Sequence, residues 1–200
     1  FVIEKGMSLN TVTNLLYEKD IIHNKSFFKY RVFFLGLSNK ILVGTFAVEG
    51  KVNSRDIIHT IFTKGPIRLR LTIPEGSSST QIFLNANNLL EKSDDYNRLF
   101  MDPMFISEFD IKASSLEGYL FPDTYYFFKD SSSREILATM INEFWINFDK
   151  TFIERTNELG FTVHEVVTLA SIIEGEALLD EERVTISSVY HNRLKKRMKL

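Results

Sequence analysis

Apolar residues recur at helical spacing in several separated stretches of this chain, with short alternating runs between them. Val12, Leu15 and Leu16 follow Ser8, a residue type that caps helices by accepting a bond from a free backbone amide. Asn24 or Ser26 opens a second stretch through Phe27, Phe28, Val32, Phe33 and Leu35, which Gly36 closes. Ser54 begins a third, carrying Ile57, Ile58, Ile61 and Phe62 and ending at Gly65-Pro66. Strand character falls between them. It covers Val2-Ile3-Glu4-Lys5-Gly6, Ile41 to Val48 with Gly44 as a candidate bulge, and Arg68 to Ile73, where basic and apolar residues alternate. Gln81 to Leu90 predicts another helix, and the polar residues 91–110 a short helix and loops. A long helix is expected from Arg134 past Trp145 to about Leu159, capped within Ser131 to Ser133 and ended by Gly160.

The last two helices have the clearest signals. Thr162-Val163-His164-Glu165 fits a capping box, in which threonine and glutamate satisfy the first free amides reciprocally. After a break near Leu178-Leu179-Asp180, a final helix runs from Glu181. It is acidic at its start and basic at Lys195-Lys196-Arg197, the polarity the helix dipole favours. Leu194 to Leu200 contains no breaker, so the chain reads as a piece of something longer, with room for a signal or anchor upstream of Phe1. Ile3-Glu4-Lys5-Gly6-Met7-Ser8 returns as Ile73-Pro74-Glu75-Gly76-Ser77-Ser78, either a true repeat or common strand-to-helix punctuation. The fold class is α+β.

Composition narrows the chemistry. With 24 Lys+Arg against 26 Asp+Glu the net charge is −2, which leaves no electrostatic footprint for nucleic acid. There is no cysteine, so disulfides, thiolate metal sites and cysteine nucleophiles are excluded together. No apolar run approaches the roughly 18 to 20 residues of a membrane span. Glycine-rich phosphate loops and a nucleophile elbow are missing. His164-Glu165-Val166-Val167-Thr168 starts like a zinc-protease motif but has threonine where the second histidine belongs, and the four histidines are far apart.

Carboxylates remain. On a helix from Val163, residues advance about 100° each, so Val163, Val166, Val167, Ala170 and Ile173 share a broad apolar arc. Glu174 falls inside that arc and Glu176 at its other side. A carboxylate on a core-facing stripe is partly desolvated, which raises its pKa as a general acid near neutral pH requires. The alternative is a buried glutamate paired with Arg183 or Arg193. A second unusual stretch, Leu116 to Phe128, holds six aromatics and two carboxylates, and Pro122 bars a regular helix or central strand. Its rings suit either a platform for sugar faces or a core with a tight turn.

Leu116-Glu117-Gly118-Tyr119-Leu120-Phe121-Pro122-Asp123-Thr124-Tyr125 resembles the L-E-G-x-L-F-P-D-T-Y signature of the YceG-like endolytic murein transglycosylases. Ala170-Ser171-Ile172-Ile173-Glu174-Gly175-Glu176-Ala177 resembles that family's catalytic helix, with Gly175 where lysine is common. Glu182-Arg183 and Val189-Tyr190-His191-Asn192-Arg193-Leu194 are similar to the motifs that follow it, and Ile73-Pro74-Glu75-Gly76 to its T-I-P-E-G.

The resemblance implies a LysM-like subdomain over 1–70 and a mixed, helix-rich catalytic subdomain over 71–200 that continues in the family beyond this chain. It implies an enzyme tethered to the cell membrane by an N-terminal helix upstream of Phe1, with its body outside the cytoplasm. Its substrate is nascent peptidoglycan glycan strands, cut between N-acetylmuramic acid and N-acetylglucosamine to leave 1,6-anhydro ends beside the cell-wall synthases. Glu174 inherits the catalytic role. Such a reaction needs one carboxyl acting as acid and then base, and no metal or other cofactor. Glu117, Asp123 and Glu176 become orienting or sugar-binding groups, Tyr119 and Tyr125 stacking surfaces, and Asn192 and Arg193 groups that hold the helix pair or touch substrate. Two other outcomes stay open: a glycan-binding module of the same fold that does no chemistry, and a muramidase using a second carboxylate such as Asp123 about 5 to 9.5 Å from Glu174.

Overall fold

A computed structural model describes residues 1–48, 52–90 and 96–199. It divides into two compact units, Phe1–Arg70 with Tyr126–Ser131, and Leu71–Tyr125 with Ser132–Leu200. Both are helix-rich with small sheets, a mixed α+β architecture.

The first unit begins with strand β1 (Val2–Ile3), helices α1 (Leu9–Glu18) and α2 (Lys25–Phe34), and strand β2 (Gly44–Thr45). Ser8 and Asn24 cap the two helices, each accepting from the amide three residues on. β1 and β2 pair antiparallel, Val2 opposite Thr45 and Ile3 opposite Gly44. The strand expected over Ile41 to Val48 is thus two residues long, because β1 runs straight into the turn closed by Met7 N–H to Glu4 C=O and offers no longer ladder. Helix α3 (Ser54–His59) opens on Asn53 and not Ser54, through a capping box with Asp56, and widens into a π turn over Thr60–Lys64. Ile3, Val12, Leu16, Phe28, Val32, Phe46, Ile57 and Ile61 form the core. Each such side chain contributes about 1.5–3 kcal/mol through burial.

The chain then forms β3 (Arg68–Thr72), α4 (Ser79–Leu90), α5 (Tyr96–Phe100), α6 (Pro103–Ser107), β4 (Thr124–Phe128), α7 (Ser133–Asn147), α8 (Lys150–Glu158), α9 (Val163–Glu176) and α10 (Glu182–Lys195). β3 pairs with β4. Both copies of the short repeat fold alike: a buried isoleucine, a turn with glycine at positive φ (+89° at Gly6, +72° at Gly76), then a serine opening a helix. Of the turn-rich stretch 91–110, residues 91–95 lie outside the described residues, and the rest holds α5 and α6.

Three expectations for the rest of the chain are corrected. The long helix through Leu159 is two helices, because Asp149 accepts from Thr151 and Phe152 N–H and starts α8 anew. The aromatic stretch is irregular only to Asp123, since Thr124–Phe128 pairs as a strand and buries Tyr125 and Phe127 on one side. The final helix ends at Lys195, where Met198 N–H reaches Arg193 C=O and Arg197 takes a left-handed φ of +54°, a Schellman closure.

Candidate active site

Helix α9 forms where the sequence places it. Thr162 Oγ1 accepts from Glu165 N–H at 3.2 Å, and the Glu165 carboxylate returns a bond to Thr162 N–H at 2.7 Å. That amide, followed by the Thr162 hydroxyl, holds the Glu165 carboxyl below its ordinary value.

The Leu116–Asp123 segment is seated against this helix. Gly118 sits at φ +83°, and a Cβ there would lie 2.5 Å from Val167 Cγ1, so glycine alone permits the approach. Beside it the Tyr119 hydroxyl shares a 3.3 Å hydrogen bond with His164 Nδ1, and the two rings stack at 6.1 Å. Val167 and Glu174 are seven residues apart, which puts them on the same face of α9, about 20° and roughly 10 Å from each other. The same segment is tied on its other sides by Leu116 N–H to Phe100 C=O, Phe121 N–H to Met140 C=O and Ile73 N–H to Asp123 C=O. The two sequence motifs around Ile73 and Asp123 therefore meet through their backbones.

Glu174 itself departs from expectation. Its side chain is 43% exposed and forms a 2.9 Å ion pair with Arg183, which also reaches Asp180 at 3.3 Å. The apolar arc of α9 is not a core stripe: of the helix only Leu169 is buried, and Ala170 is exposed. The residues do share one face, but the C-terminal turn of α9 leaves Glu174 exposed. The pairing with Arg183 is as foreseen; the burial is not.

Tyr119 and Tyr125, expected as stacking surfaces, are instead buried, only 1% and 6% exposed. Tyr125 donates to Phe121 C=O at 2.6 Å, and burial, then the negative charges of Asp123 and Glu143, push its phenol upward. Burial likewise raises the Tyr119 phenol. Glu117, Asp123, Glu176 and Asn192 are exposed, and Asp123 accepts from Thr124 N–H at 2.6 Å. Arg193 is half-buried, and its Nε has no partner, as has the Arg183 Nε. Glu182 accepts from Leu178 and Leu179 N–H at 3.2 Å, fixing the turn between α9 and α10. The bond of His164 to Tyr119 has no local sequence signal, because 45 residues separate the two. Among the described residues no three His, Asp or Glu side chains gather as metal ligands would.

In the first unit, a shallow groove of about 530 Å³ is lined by Met7 to Asn10 on one side and Ser38, Asn39 and Ile41 on the other.

The sequence profile of the YceG-like family matches residues 1–200. An endolytic murein transglycosylase of Bacillus subtilis strain 168 is 31% identical over 99% of this chain and 59% of its own length. A Streptococcus pneumoniae strain D39 protein of the same name is 25% identical over 99% of this chain and 40% of its own. The chain thus spans well under two thirds of these relatives. A crystal structure of a YceG-like protein from Listeria monocytogenes superposes with a TM-score of 0.61 at 28% identity, over 100% of this chain and 71% of that one.

Proposed function

The chain belongs to the YceG-like family, and from that premise we propose that it carries the lytic transglycosylase chemistry for which its relatives are named, with Glu174 as the reacting carboxyl. The substrate is a nascent peptidoglycan strand. Glu174 gives its proton to the glycosidic oxygen leaving C1 of N-acetylmuramic acid, and the C1–O bond breaks. The resulting carboxylate then takes the proton of the sugar's own C6 hydroxyl as that oxygen bonds to C1. Glu174 ends protonated, no water is consumed, and the product carries a 1,6-anhydro end.

The observation that carries this reading is the shared face of α9. The close approach of Gly118 to Val167 brings the Leu116–Asp123 segment alongside the same face that bears Glu174 two turns later. Exposed Glu117, Asp123, Glu176 and Asn192 supply polar contacts for sugar hydroxyls, and Arg193 steadies the helix pair. The pair with Arg183 must open before the carboxyl can pass on a proton, so glycan binding has to draw Arg183 away. In the first unit the order strand, helix, helix, strand, with its strands paired antiparallel, supports a LysM-like reading of residues 1–70. The groove beside Met7 and Ser38 suits a glycan chain. The setting is outside the cytoplasmic membrane, beside the cell-wall synthases, with the tether upstream of Phe1.

One observation favours a second reading. Glu174 is exposed and engaged by Arg183, as it would be in a glycan-binding module of this fold that performs no chemistry. Digestion of uncrosslinked glycan strands, using the longest natural polypeptide that contains these residues, separates the two. Mass spectrometry should find anhydro ends that fall at least about 100-fold in Glu174→Gln. Binding without cleavage by the folded protein selects the module, and reducing ends would mean hydrolysis.

A further inference from the structure

Helix α2 is apolar on two opposite sides. Phe28 and Val32 point into the core of the first unit. Phe27, Tyr30 and Phe34, spaced three and four residues apart, form a second stripe directly opposite, and Phe33 lies beside it. These rings face water: Phe27 is 51% exposed, Tyr30 65%, Phe33 75% and Phe34 78%, with Leu35 following at 54%. Tyr30 and Phe34 stack on one another at 6.2 Å. A contiguous apolar patch of this kind marks an interaction surface.

Cations frame it. Arg31, 5.7 Å over the Phe27 ring, lies on one flank of the stripe, and Lys29 lies on the other. From Ile21 to Val48 the chain carries Lys25, Lys29, Arg31 and Lys40 and not one Asp or Glu, although the whole chain has a net charge of −2. The patch is the convex side of a helix, and three of its rings are phenylalanine, with no polar atom to offer a sugar. Aromatic rings flanked by Lys and Arg on one helix face are what the boundary between lipid headgroups and acyl chains accommodates.

We propose that α2 docks on an anionic lipid surface. Phe27, Phe33 and Phe34 enter the headgroup boundary, while Lys29 and Arg31 reach the phosphates. The contact is peripheral and does not depend on the lytic reading, since Glu174 takes no part in it.

Co-sedimentation of the 200-residue chain with phosphatidylcholine vesicles, with and without phosphatidylglycerol, tests the proposal. Binding should be at least about tenfold stronger to the anionic vesicles and should weaken with salt. Phe33→Ser/Phe34→Ser and Lys29→Glu/Arg31→Glu should each lower it about tenfold or more, with thermal unfolding unchanged because all four side chains lie outside the core. No preference for anionic vesicles, or variants that bind as the parent does, would overturn it. So would a lipid-free dimer that the phenylalanine pair dissolves while vesicle binding is absent, because the face then belongs to a second copy.

Discussion

Helices α7 and α10 are nearly equal in length, 15 and 14 residues, yet they are held by different means. α7 buries Ile136, Leu137, Met140 and Ile141 completely and Phe144 almost so. α10 buries nothing; Val184 is 78% and Val189 50% exposed. Its contacts are the Arg183–Glu174 pair, the Glu182 bonds to the preceding turn and the contact of His191 with Phe161, beside half-buried Ile186, Tyr190 and Leu194. The segment carrying the candidate chemistry therefore lies on elements with little full burial, while the neighbouring core supplies most of the stability. Elements that open or rearrange around a ligand are drawn from such weakly packed regions.

The sharpest test of that contrast is a pair of truncations. Leu137→Ala in α7 should cost about 2–5 kcal/mol in urea unfolding, whereas Val184→Ala in α10 should stay within about 0.5 kcal/mol. Equal losses would mean α10 is packed far more tightly than its exposure implies.

Next in size comes the join between the two regions. Gly118→Ala introduces a Cβ 2.5 Å from Val167 Cγ1 at a φ that alanine rarely adopts, so it should destabilise by about 1–3 kcal/mol. Adding Val167→Ala should return part of the steric loss, and a double-mutant cycle with no coupling would contradict the contact. The same substitution should depress glycan cleavage more than stability alone explains, because it shifts the motif relative to Glu174.

Smaller still is the cap of α9. Thr162→Ala should cost about 1 kcal/mol. The Glu165 carboxyl is held below its ordinary value of 4.5 when folded, so its contribution is complete above that value and disappears as pH falls through the lower folded value. Protection of the amides in the first turn of α9, corrected for the intrinsic exchange rate, should accordingly fall on acidification below about 4.5 in the parent and lose that dependence in Glu165→Gln.

What could be read from the sequence follows the reach of each signal. The Thr162–Glu165 box, the Ser8 cap and the break after α9 depend on residues within a few positions, and they formed as expected. The division at Asp149 is hidden because Phe144, Phe148 and Phe152 continue a four-residue spacing across it, and their ring centroids do lie 5.4 and 5.5 Å apart. Whether Glu174, Tyr119 and Tyr125 are buried depends on what packs over them. For the tyrosines that is fixed by segments far away in sequence, and Glu174 stays 43% exposed beside Arg183. A helical wheel reports direction and cannot report a neighbour. Most apolar residues of the family motif over 116–125, Leu116, Tyr119, Leu120 and Tyr125, are core.

The smallest expected effect has the opposite sign. Gly175 lies within α9 next to Glu174, and a Cβ built there meets nothing within 4 Å. Glycine inside a helix is about 0.8–1.0 kcal/mol less favourable than alanine, so Gly175→Ala should stabilise the chain by up to about that amount. If α9's last turn is held only by its own bonds and the Arg183 pair, the gain should appear locally, as slower amide exchange from Ile172 to Ala177 with little change in the global midpoint. A rise in the global midpoint matching the full propensity difference would instead show that the turn unfolds together with the core around α7. The contrast between the two helices would then be one of exposure and not of stability.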